Sequence, residues 1–135
     1  MKTFSLCKDK KGLETLEAVV TLPIMLMILL SVINLSLLVY GKQAVEDAAE
    51  YGARMGSVAQ SSPAIYASTY AQKSISSKGV VQNPKVTILA SGASAGSMLT
   101  VQVQGEIPNV IGAFVPGLPS PFKVTGQASF RKEGW

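Results

Sequence analysis

One stretch limits what this chain can become. Residues 18–40, AVVTLPIMLMILLSVINLSLLVY, run for 23 residues without a charge. As a helix rising ~1.5 Å per residue the stretch is about 34 Å long, enough to cross a hydrocarbon core of ~30 Å with some tilt. A secretory h-region is shorter, roughly 7–15 residues, and is followed by a small-residue cleavage site that is missing here. The run therefore reads as a transmembrane helix. The lysines before it place its N-terminus on the cytoplasmic side and the rest of the chain outside. Pro23 removes one backbone hydrogen bond and is expected to kink or loosen the helix locally.

The basic balance of the chain belongs to the residues ahead of that run. The net charge is +4, and residues 1–12 hold Lys2, Lys8, Lys10 and Lys11 against Asp9, so +3 lies there and about +1 elsewhere. No basic stripe interleaved with aromatic residues occurs, which argues against nucleic acid as a partner. Cys7 is the one cysteine, so an internal disulfide and a zinc cage are excluded, and it precedes the apolar run where a lipoprotein cysteine would follow it. The chain has no histidine, which removes the commonest general base and metal ligand. No GxSxG, phosphate-binding loop or HExxH motif is present. The expectation is a protein that is not an enzyme, with no catalytic residues, no metal site and no cofactor.

The junction KKGLETLEAVV, residues 10–20, is the most informative place in the sequence. Gly12 closes a short basic leader, and the apolar segment starts at once. Glu17 stands five residues past Gly12, at the edge of hydrocarbon. An ionisable group at mid-membrane depth costs ~2.5–3.5 kcal/mol or more, so such a residue is a functional candidate. The plainer reading, that Glu17 and Glu14 mark the membrane interface, stays open on spacing alone.

Gly12 followed by Leu13 and Glu17 resembles the site cut by prepilin peptidase in type IV pilin-like proteins. The segment GLETLEAVVTLPIMLMILL is similar to the TadE-like minor pilins of the Tad (Flp) pilus system. QAVEDAAEYGARMGSVA, residues 43–59, is similar to the small-residue helix that follows the span in that family. The stretch Val32 to Tyr40 departs from it in lacking the charges that many relatives carry there. The resemblance implies cleavage of the Gly12–Leu13 bond and a new amine on Leu13 that pairs with Glu17 within or between subunits. It implies a processed structural subunit that starts or assembles a Tad-type pilus. The implied partners are the membrane, prepilin peptidase, other minor pilins, the major pilin, the inner-membrane assembly platform and further copies of the chain. The protein would sit in the cytoplasmic membrane by a single pass, with possible incorporation into an extracellular pilus. The competing reading is an uncleaved single-span protein whose outer domain binds a partner.

Beyond Gly41 the helical pattern continues to about Ala59, with Lys42–Glu46 and Glu50–Arg54 at i,i+4 spacing. Ala48, Gly52 and Gly56 form a small-residue ridge for helix packing, either on the chain's own sheet or on another subunit. Ser62 as N-cap and Pro63 in the first turn open a second helix over Ala64 to about Ser77, closed by Gly79. Its buried stripe is expected to hold Ile65, Tyr66, Thr69, Tyr70 and Ile75.

After Gly79 the period changes to two. Val86 and Ile88 flank Thr87. Leu99, Val101, Val103, Gly105 and Ile107 alternate with polar residues, as do Phe122, Val124, Gly126, Ala128 and Phe130. This is the pattern of an antiparallel sheet with one wet face. Ser91–Ser97 reads as a hairpin connection. Pro108 to Pro121 holds four prolines together with Val110, Ile111, Phe114, Val115 and Leu118. A loop this apolar must cover the open side of the sheet, the membrane surface or a neighbouring subunit, and the reading favours the sheet. The expected fold class is α+β. A basic leader over 1–12 is followed by a long N-terminal helix over 13–60, its first half transmembrane. An extracytoplasmic domain over 61–135 then holds a second short helix and a small antiparallel sheet of about three strands.

Overall fold

The structure, a computed structural model, describes residues 10–115 and 117–134, and for Lys10, Lys11, Leu13 and Ala113 the backbone alone. Residues 1–9, most of the expected basic leader, lie outside the described residues. The expected α+β architecture is present. Helix α1 runs from Lys10 to Ser57 and α2 from Pro63 to Ser76. Strands β1 (Gln82–Ser91), β2 (Met98–Ile107) and β3 (Phe122–Arg131) follow, with one 3-10 turn at Ile111–Ala113. The helix continues through Pro23.

The chain divides into two compact units between Ile33 and Asn34. In the first, nearly every described side chain of α1 is exposed, Leu16, Leu22, Ile28 and Leu29 among them. A helix apolar all round is stable only where its surroundings are apolar, which is the signature of a membrane span. Among the described residues one helix segment, Glu14–Ser57, is long and apolar enough to cross a membrane. The hydroxyl of Ser31 donates to the Met27 carbonyl at 2.7 Å, so that polar group is satisfied by its own helix.

The second unit is a three-stranded antiparallel sheet in the order β1-β2-β3, with the C-terminal part of α1 and all of α2 contributing to its core. Strand β2 is central and alternates strictly. Leu99, Val101, Val103 and Ile107 are fully buried, and Gln104 on the other face is exposed. The register places Leu99 opposite Phe130, Val101 opposite Ala128, Val103 opposite Gly126 and Ile107 opposite Phe122. The inward residues of neighbouring strands therefore share one face. Gly105 lies in the same row; a Cβ there would run into the Val81 side chain.

Small residues let α1 approach this sheet closely. Ala44, Val45, Ala48, Ala49 and Ala53 are buried on α1. A Cβ at Gly126 would stand 2.6 Å from the backbone of Val45 and Glu46, so β3 meets the helix backbone there. Gly41 leaves the space that Ile107 fills. Lys42 reinforces the seam: its ammonium donates to the Thr125 carbonyl and pairs with Glu46 at 2.8 Å, the i,i+4 partner expected from sequence. Asp47 pairs with Lys78, just beyond α2, at 3.0 Å.

Several local expectations are corrected. Helix α2 buries Pro63, Ala67, Ala71 and Ile75, whereas Ile65, Tyr66 and Thr69 are exposed. Of the predicted stripe Ile75 alone is buried, because a close helix contact selects small side chains and turns the large ones outward. Tyr70 packs edge-on against Tyr51 and in parallel with Tyr66 on that outer side, with ring centroids 5.9 and 6.3 Å away. Ser62 and Pro63 open α2 as N-cap and first-turn proline, as expected; Ser62 is left-handed at φ 49, and its carbonyl rather than its hydroxyl accepts the N–H groups of Ile65 and Tyr66. The helix closes at Ser77 in right-handed geometry, without a left-handed turn at Gly79.

The hairpin between β1 and β2 is the expected turn segment, with Gly92 and Gly96 at φ 58 and 80. Strand β1 carries two register irregularities, the first spanning Asn83 and Pro84, which interrupt its hydrogen-bonding edge. Replacing Leu99 by alanine is expected to destabilise the chain by about 2–5 kcal/mol, the range for a large-to-small change in a packed core. Leu89→Ala, at an exposed strand position, should stay within about 0.5 kcal/mol. Denaturant unfolding of the detergent-solubilised chain reads both.

Candidate functional site

The residues singled out by the sequence fall into two groups on α1. Gly12, Leu13 and Glu17 lie in its first turns. Gly12 and Glu17 are exposed, and the Gly12–Leu13 bond sits between the third and fourth helical residues. The opening turn of a helix lacks intrahelical partners for its N–H groups, and glycine lowers helix propensity by about 1 kcal/mol relative to alanine. The helix therefore unwinds at little cost around this bond. Leu13 and Glu17 are four residues apart in the sequence, about one helical turn. A helix starting at Leu13 would present a positive amine and the positive end of its dipole one turn from the Glu17 carboxylate.

Ala48, Gly52 and Gly56 stand in the second unit. Ala48 is fully buried, and the two glycines face α2. A Cβ at Gly52 would lie 2.6 Å from the Ala71 Cβ and 2.7 Å from the Ala67 carbonyl. At Gly56 it would meet Leu99 of β2 at 2.5 Å and the Ala67 Cβ and Pro63 carbonyl at 2.7 Å. Of the two packing partners the sequence leaves open, the one seen is internal. It is chiefly α2, with the sheet reached through Leu99. Glycine and alanine on both helices let the backbones approach closely.

Sequence reasoning missed a third group, centred on Asn34. Its side-chain carbonyl accepts the Val110 N–H at 3.0 Å, which ties the loop after β2 to α1. Asn34 lies within the predicted span, and Leu37 and Leu38 pack against the core of the domain. The outer part of the 18–40 run thus belongs structurally to the second unit. A signal was available: Asn34 is the one amide side chain in the run, and such a group in an apolar setting requires a partner.

The loop is organised from within by Asn109, buried to 8% exposure. Its Oδ1 accepts from the N–H groups of Ile111 and Gly112, and its Nδ2 donates to the Pro119 carbonyl at 2.8 Å. The favoured expectation that this loop covers the open side of the sheet is not met: Gln104, Lys123, Thr125, Gln127 and Ser129 remain exposed.

Among the described residues no group of three or more His, Cys, Asp or Glu side chains is placed to hold a metal ion. What the described residues present is a helix with Glu17 exposed in its first turns and a tightly packed far end.

Comparison with known proteins bears on α1. The model of the family described as TadE-like protein matches residues 12–54, which start at Gly12 and end within the small-residue ridge. This is the family that the sequence resembles. No curated protein and no solved structure matches the chain significantly.

Gly52→Val is expected to force α1 and α2 apart and to cost about 1–3 kcal/mol, the usual penalty of overpacking. Gly79→Ala, with open space around the added Cβ, should leave stability nearly unchanged. Thermal unfolding of the two variants beside the parent chain checks the difference.

Proposed function

We propose that this chain, TadE-like through residues 12–54, is a pilin-like structural subunit of a Tad/Flp-type pilus and performs no catalysis. In this reading prepilin peptidase cuts between Gly12 and Leu13, and the mature protein is held in the cytoplasmic membrane by α1 with its domain outside. It then joins other minor pilins, the major pilin and the inner-membrane assembly platform to begin or extend the fibre. The observation that carries the reading is the family match, which begins at the candidate cleavage residue and runs through the apolar helix into the domain core.

The mechanism follows from charge in a low-dielectric setting. An amine on Leu13 and the carboxylate of Glu17 each lose hydration as the helix end enters an assembly. Two unit charges at ~4 Å attract by about 4 kcal/mol at an effective dielectric near 20. Either charge left alone is costly, so the pairing favours an incoming subunit that docks in register. The packed core of α1, α2 and the sheet keeps the outer domain rigid while the helix moves with the fibre.

Expression with and without prepilin peptidase, followed by intact mass and N-terminal sequencing, tests the reading. The expected result is peptidase-dependent loss of residues 1–12, leaving Leu13 first. An unchanged terminus in the presence of active peptidase would favour the uncleaved anchor. Glu17→Gln should be inserted and cut normally but impair piliation, scored by counting fibres; normal piliation would remove Glu17 from the assembly mechanism.

A further inference from the structure

The loop between β2 and β3 leaves large apolar side chains uncovered. Phe114 is 63% exposed, and Val110 and Leu118 are exposed beside it in sequence. On α1 the residues Leu35, Val39 and Tyr40 are exposed as well. The hydrogen bond from the Val110 N–H to Asn34 fixes the loop to the helix at the start of that 35–40 segment. Both segments lie in the same compact unit. From these contacts we propose that residues 108–115 and 117–121 of the loop and the exposed side of α1 at 35–40 form an apolar collar that sinks into the outer interface of the lipid bilayer. The proposal rests on the membrane-anchored reading above and names lipid as the occupant.

Helix length is the first argument for lipid. Residues 18–33, the uncharged part of α1 ahead of the domain, span about 24 Å, roughly 6 Å less than a hydrocarbon core of ~30 Å. Residues 34–40 add about 10 Å at the same rise. For the uncharged helix to span the core, the bilayer must therefore reach the level of 34–40, where the loop is attached.

Charge distribution is the second. No charged residue occurs from Ala18 to Gly41 or from Ile107 to Phe122, and both segments are followed at once by a lysine, Lys42 and Lys123. Lysine at the edge of an apolar band, with Tyr40 just inside it, is the arrangement that suits the boundary between acyl chains and headgroups.

The third argument concerns the backbone. Irregular chain at a membrane interface is costly when its polar groups lack partners. Here Asn109 satisfies the N–H groups of Ile111 and Gly112 and the Pro119 carbonyl, Asn34 satisfies Val110, and Ile111 accepts from Phe114 and Val115. The loop turns apolar side chains outward while holding much of its own polarity inward.

Tryptophan fluorescence of the full chain in phospholipid vesicles tests this, with lipids brominated either near the headgroup or near the chain end. Trp135→Phe removes the native indole, and single probes are introduced by Phe114→Trp, Leu118→Trp, Leu26→Trp in the span and Leu89→Trp on the sheet. The expected result is blue-shifted emission for the probes at 114 and 118, with most of it lost to bromines near the headgroup. The probe at 26 should be quenched by the deeper bromines and the probe at 89 by neither. Quenching at 26 with none at 114 and 118 would overturn the collar and leave the anchor standing. No quenching at 26 would overturn the anchor and the collar together. A blue shift at 114 that grows with protein density, without bromine quenching, would assign the surface to a second copy and overturn the lipid proposal.

Discussion

The packing of the second unit depends on how closely α1 approaches the elements beside it. Gly126 brings the backbone of β3 against Val45 and Glu46, and Gly52 and Gly56 bring α2 against the same helix. Ala44, Ala48, Ala49 and Ala53 fill the space between. Alanine and glycine bury little apolar area each, so the large contributions come from the facing strands through Leu99, Val101, Val103 and Ile107. The helix offers a smooth wall and the sheet supplies the bulk.

The same helix therefore answers to two environments. Ahead of Asn34 it is exposed and apolar, with Ser31 satisfied by its own backbone. From Asn34 onward its side chains alternate between the domain core and the surface, and Asn34 itself is bonded to the loop after β2. The change falls within one uninterrupted element, so the chain needs no linker between anchor and domain.

Much of this was legible in the sequence because the relevant patterns are strong. The apolar run, the period of two in β2 and β3, and the hairpin between β1 and β2 follow from residue order alone. The TadE-like match over residues 12–54 agrees with the resemblance carried by Gly12, Glu17 and the 43–59 helix. What the sequence obscured was partner choice. Hydrophobicity favoured Ile65, Tyr66 and Tyr70 as the inner face of α2, but Ala67 and Ala71 face the glycine ridge and the larger residues turn outward. The ridge itself read equally well as an intersubunit surface until α2 was found on it. Asn34 was absorbed into the transmembrane reading, since only the fold places Val110 within reach of its carbonyl. Ser62 is the N-cap that the sequence indicates, although its backbone carbonyl, rather than its hydroxyl, supplies the acceptor.

The central claim is that one helix serves as both membrane span and domain core. Peptide-resolved hydrogen exchange of the full chain in lipid nanodiscs tests it most directly. The account predicts slow exchange from the apolar segment at 18–33 through 34–57 without a break, with residues 44–56 as protected as the central strand β2. Rapid exchange over 44–56 while β2 stays protected would contradict it, as would a zone of fast exchange separating residue 33 from residue 34.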